Sequence, residues 1–177
     1  MFDIDTFVAA CVEANSATEP RLAIKEVLAE AMADPAAVQQ ALPPNRAEIA
    51  RLHVSPELTI LKVVWAPRMS FGPHDHRLWA TIGVYSGGED NAFYRRDGDS
   101  IAATGGKSLR SSDVVVLGES TIHAVTNPTD EFAGAIHIYG GDFFATPRSE
   151  WRGEPPCEQP YDADYVVDYF EQANRAN

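Results

Sequence analysis

Two histidines separated by a single residue, His74 and His76, are the residues of this sequence best suited to chemistry. They sit in the stretch 72–88 (GPHDHRLWATIGVYSGG), ahead of an apolar run from Trp79 to Val84. On an extended backbone, side chains i and i+2 point to the same face. His74 and His76 can therefore aim at one point while Asp75 faces away. Imidazole is the commonest protein ligand for Zn, Fe, Cu and Ni, so the pair makes half of a metal site. Two surface histidines ahead of a strand would look the same. What favours the metal reading is a third histidine, His123, in residues 113–127 (DVVVLGESTIHAVTN), a strand, a turn at Gly118 and a second strand. The separation of His76 from His123 allows several strands to return to one barrel mouth, where three imidazoles converge.

The elements that must position these residues fall in three blocks. Residues 1–45 read as a helical lead-in. Phe7, Val8 and Cys11 form one helical stripe; Ile24, Val27, Leu28, Ala31 and Met32 form a second. Pro20 suits a first helical turn, and Asp34-Pro35 breaks the chain before a short third segment. Residues 50–143 are predicted to be β-structure. Residues 58–65 (LTILKVVW), 78–85, 91–95, 113–117, 121–126 and 132–139 read as strands, with a short segment at 101–103 followed by Gly105-Gly106. Gly and Asp turns punctuate them, Ser86-Gly87-Gly88 turns the chain, and 89–91 reads as a turn. Residues 144–177 read as an irregular tail ending in an amphipathic helix marked by Tyr165, Val166, Tyr169 and Phe170. The expectation is one domain, an all-β sandwich or barrel flanked by helices.

Composition narrows the function classes. The chain has 177 residues, enough for one domain with a substantial core. With 26 acidic against 14 basic residues, the net charge is -12, which argues against nucleic acid and anionic membrane surfaces as partners. Cys11 and Cys157 are far apart and lack metal-type spacing, so no disulfide framework is expected and a reducing cytoplasm fits. No apolar run approaches the length of a membrane span.

These residues resemble the cupin superfamily, whose fold is a small double-stranded β-helix. Its first motif places HxH before a strand and a glycine twelve residues after the second His, here Gly88. Its second motif ends in a His followed four residues on by Asn, here His123 and Asn127. The usual cupin glutamate would fall at Ala80 or Thr81, so the resemblance implies a bare three-histidine site with no carboxylate. Among cupins the pattern looks most like the thiol dioxygenases of the cysteine dioxygenase type, which also use three histidines and follow them with His-x-Tyr. Here AIHIYGG supplies His137 and Tyr139. The resemblance implies a mononuclear non-haem Fe(II) dioxygenase acting with O₂ on a small chelating substrate, such as cysteine or a mercapto acid. It assigns Tyr139 and His137 to catalysis, and Arg51 to a substrate carboxylate, with Arg68, Arg77 and Arg95 as rivals. Two departures stand out. The position of the family's crosslinking cysteine is Thr81, and the serine two residues before His137 is Ala135.

The ligand set does not choose the metal. Three neutral imidazoles also take Zn, Ni or Mn, and Zn would activate water instead of O₂. Diketone cleavage, isomerisation, hydrolysis and ligand binding without turnover stay open as alternatives, as does assembly into a homo-oligomer.

Overall fold

A computed structural model of the protein describes residues 1–176. Three helices come first: α1 (Ile4–Ala14), α2 (Pro20–Met32) and α3 (Pro35–Ala41). Their starts follow from local chemistry. The Asp3 carboxylate accepts from Thr6 N at 2.8 Å, and Asp34 accepts from Ala37 N at 3.1 Å, each satisfying an amide that the first turn leaves free. Pro20 and Pro35 occupy first-turn positions, where a missing N–H costs nothing.

Eleven strands follow among the described residues: β1 (Glu48–Val54), β2 (Thr59–Trp65), β3 (Ser70–Asp75), β4 (Ala80–Ser86), β5 (Gly88–Asp97), β6 (Ser100–Arg110), β7 (Val114–Leu117), β8 (Ile122–Thr126), β9 (Ala133–Tyr139), β10 (Ser149–Arg152) and β11 (Cys157–Pro160). They form two sheets, ordered β1-β2-β9-β4-β7 and β11-β10-β3-β8-β5-β6, and the pairings are antiparallel. Between β2 and β9 the chain passes repeatedly from one sheet to the other. The central strands β2-β9-β4-β7 thereby face β3-β8-β5-β6, which is the double-sheet jelly roll, or double-stranded β-helix. The mainly β architecture with N-terminal helices and a short C-terminal helix, α4 (Ala163–Ala176), is the one expected from the sequence.

Both faces of the first sheet are covered, so β2, β4 and β9 read as near-continuous apolar runs. Leu61, Val63, Trp65, Ile82 and Val84 point between the sheets. Ile60, Tyr85, Ile136 and Ile138 point outward and pack against Ile24, Leu28 and Met32 of α2. Gly83 marks the closest approach, since a Cβ there would meet Leu28 and Met32 side-chain carbons at 2.9 Å. This alternation places Ala135, His137 and Tyr139 of β9 on the interior face.

The structure departs from the sequence reading at several elements. The strand β3 carries His74 and Asp75 at its end, so the triplet closes β3 rather than leading into β4. Pro73 is tolerated there because the β3–β8 register shifts between Phe71 and His74. The strand β6 is longer than the short segment expected before Gly105-Gly106. Gly105, at φ 152°, lies at the bulge opposite Phe93 and Tyr94, and the ladder continues to Arg110. Residues 48–54 pair as β1, which had no assignment. The tail is not irregular throughout: β10 and β11 form a hairpin on the open edge of β3, with Glu150 opposite His74. Finally α4 lies across the end of the sandwich, where Val166 and Phe170 are buried and the Phe170 ring stands 5.4 Å from that of Trp65.

Candidate metal centre

His74 and His76 reach the interior from the end of β3 and the residue after it; His123 comes from β8, directly opposite His74. Their ligand atoms all lie within 4.8 Å of one another, and all three residues are buried. The Nε2 atoms of His76 and His74 are 3.2 Å apart, as are those of His123 and His76. Two imidazoles bound to one ion at about 2.1 Å would subtend about 100° at that separation, between octahedral and tetrahedral angles. The nitrogens pointing away from the cluster are engaged. His74 Nδ1 lies 3.0 Å from the Gly72 carbonyl, and His123 Nδ1 lies 2.7 Å from Asn91 Oδ1. The Gly72 carbonyl only accepts, so it fixes the His74 proton on Nδ1 and leaves that ring's Nε2 lone pair facing the cluster.

Burial also keeps these rings neutral, as a metal ligand must be. It lowers His74 to about 4, with the Arg148 charge adding to the effect. His76 and His123 are pushed well below their ordinary value by burial, and the neighbouring imidazoles add to it. The residues present therefore fit a divalent cation that takes three nitrogen ligands.

No carboxylate joins this group among the described residues. Ala80 and Thr81 are both buried on β4, and Asp75 turns the other way, as alternation requires. Its Oδ1 accepts from Ser149 N at 2.8 Å and its Oδ2 meets Arg77 Nε at 2.7 Å. Glu158 and Arg96 complete that outer ion cluster.

His137 and Tyr139 line the same cavity as the three histidines. His137 Nδ1 and the Tyr139 hydroxyl share a hydrogen bond at 3.1 Å. The Tyr139 ring stands edge-on to His76 at 4.9 Å and packs on Phe143 at 4.3 Å. Burial drives the phenol far above its ordinary pKa, so it stays protonated.

Two further features lay outside the sequence reading. The segment 89–91, expected as a turn, opens β5 and sends Glu89 and Asn91 inward. Glu89 Oε2 accepts from Trp65 Nε1 at 3.0 Å and faces His137 Nε2 at 3.2 Å; Oε1 accepts from Asn91 Nδ2 at 3.2 Å. Burial pushes the Glu89 carboxyl up, but the facing His137 and these hydrogen bonds outweigh it and hold the group below its ordinary value. A signal existed in the i, i+2 spacing of two polar residues at the start of a strand. The second feature is an arginine. Arg51 lies on β1 with its guanidinium 3.9 Å above the Phe144 ring, exposed and outside the cavity lining. Arg68 and Arg95 pair with Asp130 and Asp97 at the surface, and Arg77 pairs with Asp75. Arg148 does not line the cavity either, but it packs on two side chains that do, Phe143 and Tyr161. It is clamped between the rings of Phe143 and Tyr161, 3.9 Å from each, and its Nε is buried without a hydrogen-bond partner. No motif fixed its place, because it follows a loop of the tail.

The cavity itself is small. Its water-accessible volume is about 30 Å³, room for about two waters at the ~10–15 Å³ each needs. Val166 and Phe170 of α4 and Tyr161 form part of its wall.

No family model matches the sequence. Among solved structures the chain is similar to a protein from Bacillus halodurans, with 16% identity over 59% of this chain and 77% of that one and a TM-score of 0.52. It is also similar to a cupin family protein with a double-stranded β-helix fold from Methanocaldococcus jannaschii: 8% identity, 55% of this chain, 82% of that one, TM-score 0.46. An oxalate oxidase in complex with the substrate analogue glycolate matches at 15% identity over 55% of this chain, TM-score 0.45; the chain spans about half of that protein's length, 52%. The fold is a double-stranded β-helix, and within it stands a three-histidine cluster that could hold a metal.

Proposed function

We propose that this chain is a cupin enzyme, a mononuclear Fe(II) dioxygenase that acts with O₂ on a small chelating substrate bearing a carboxylate and a thiol, such as cysteine or a mercapto acid. The observation that carries the reading is the convergence of three buried, neutral imidazoles, with no carboxylate in their group among the described residues. Iron held by His74, His76 and His123 would supply open positions at which O₂ and a chelating substrate meet. The chain's own residues supply the rest. Tyr139 places a protonated hydroxyl on the cavity wall, held by His137. Arg148 offers a fixed guanidinium with an unused N–H, the geometry that a carboxylate recognises. Arg148 thus takes the role that the family resemblance implies for Arg51. The cavity holds about two waters, so a substrate the size of cysteine enters only if its wall, which includes Tyr161, Val166 and Phe170, gives way.

The test is oxygen-electrode screening of protein purified anaerobically and loaded with Fe(II). Small mercapto acids and cysteine should stimulate uptake. Uptake with diketones alone would refute the thiol substrate, and no uptake with either class by iron-loaded protein would refute the dioxygenase.

A further inference from the structure

Glu89 is only 1% exposed, and Asn91 is 4% exposed. Together they form a hydrogen-bonded bridge from His137 to His123. The bridge has a direction. An ionised carboxylate accepts and cannot donate. An amide accepts at one end and donates at the other. Glu89 therefore requires Asn91 to turn its NH₂ toward Oε1, at 3.2 Å, and its carbonyl toward His123 Nδ1, at 2.7 Å. That carbonyl only accepts, so His123 must carry its proton on Nδ1. Its Nε2 lone pair is then committed to the cluster, 3.2 Å from His76 Nε2. At the other end the same carboxylate requires a proton on His137 Nε2. Trp65 Nε1, a donor only, pins Oε2.

We propose that Glu89 is a positioning residue that sets the tautomer of His123 through the Asn91 amide, so that one acceptor-only group two bonds removed decides whether the site presents three nitrogen lone pairs or two. The neutral isostere reverses the direction. In Glu89→Gln, Trp65 and His137 still demand an acceptor, so the new carbonyl takes the Oε2 place and the new NH₂ faces Asn91. Asn91 must flip its carbonyl toward it. Its NH₂ then faces His123 Nδ1, which can accept only by moving its proton to Nε2. Glu89→Asp keeps an acceptor-only group and with it the original direction.

The experiment reads the imidazole nitrogens directly. Long-range ¹H–¹⁵N spectra of metal-free protein report which nitrogen of His123 is protonated, and chelator competition gives the Zn(II) affinity. Wild type should show the proton on Nδ1. Glu89→Gln should show it on Nε2, with Zn(II) binding weakened by about 10- to 100-fold, as outer hydrogen-bond partners of metal ligands generally contribute. Glu89→Asp should keep the wild-type tautomer. A wild-type proton on Nε2 overturns the proposal, as does a weakened Zn(II) affinity in Glu89→Gln with the tautomer unchanged. If Glu89→Gln does not fold, Asn91→Leu replaces it. It should release His123 from the single Nδ1–H form, and retention of that form would overturn the bridge. The affinity arm rests on the three-histidine centre proposed above, while the tautomer arm does not. A wild type that binds no Zn(II), with the tautomer still switching in Glu89→Gln, refutes the metal centre and leaves the bridge standing.

Discussion

Replacing Tyr139 by Phe removes one hydroxyl and keeps the ring. Its contacts with Phe143 at 4.3 Å and with His76 at 4.9 Å survive, so no cavity larger than an oxygen atom opens. What is lost is the 3.1 Å hydrogen bond to His137 Nδ1, which leaves that nitrogen buried and unpaired. A stranded buried polar group costs about 1–3 kcal/mol. For a chain of this size each kcal/mol lowers the melting temperature by about 2–4 °C. The kinetic effect separates two roles. If the hydroxyl holds substrate or O₂ in the transition state, its loss costs roughly 10²-fold in kcat at unchanged metal content. The assay is steady-state oxygen consumption of metal-replete Tyr139→Phe, with metal analysis and thermal melting on the same preparation. A lowered melting point with unchanged kcat would assign Tyr139 to packing and refute its catalytic role.

Three more outcomes are expected. Arg148→Gln should raise KM for a carboxylate-bearing substrate by about 10- to 100-fold, since a hydrogen bond to a charged group contributes about 1.5–3 kcal/mol; an unchanged KM, read from substrate-dependent oxygen uptake, would remove Arg148 from binding. Phe170→Ala should destabilise the protein by about 3–5 kcal/mol, because a buried ring against Trp65 leaves a cavity; chemical denaturation measures it, and a loss below about 1 kcal/mol would mean that α4 is not seated on the sandwich. Hydrogen bonds from Arg96, then Ser149, lower the Glu158 carboxyl to about 2. A depressed carboxylate stabilises the fold above its unfolded value near 4.5, and the contribution is lost as pH falls through about 2. The melting-temperature gap between wild type and Glu158→Gln should therefore close between those pH values, and a gap independent of pH would refute the pairing.

The parts of this site that share a strand or a short span were legible in the sequence. His74 and His76 are two residues apart on extended backbone, and strand alternation carries His137 and Tyr139 to one face; the structure puts all four in one cavity. An all-β sandwich or barrel was legible because Gly and Asp turns punctuate runs of β-branched residues, and the resemblance of the histidine motifs to cupins narrowed it to the double-stranded β-helix. What was not legible depends on pairing across the chain. Arg148 lies in a tail segment whose β10–β11 hairpin is fixed by the free edge of β3, far away in sequence. The length of β6 is set by its ladder with β5, which overrides the breaking tendency of Gly105-Gly106. Glu89 and Asn91 resembled a turn because Ser86-Gly87-Gly88 precedes them; only burial against Trp65, His123 and His137 shows that they face inward.

The central claim is that His74, His76 and His123 hold one metal ion. Elemental analysis of protein purified anaerobically from iron-supplemented cells, wild type beside His123→Ala, tests it most directly. The wild-type chain should carry close to one equivalent of divalent metal, and His123→Ala should lose most of it with the fold retained by circular dichroism. Full metal content in the folded His123→Ala variant would contradict the claim.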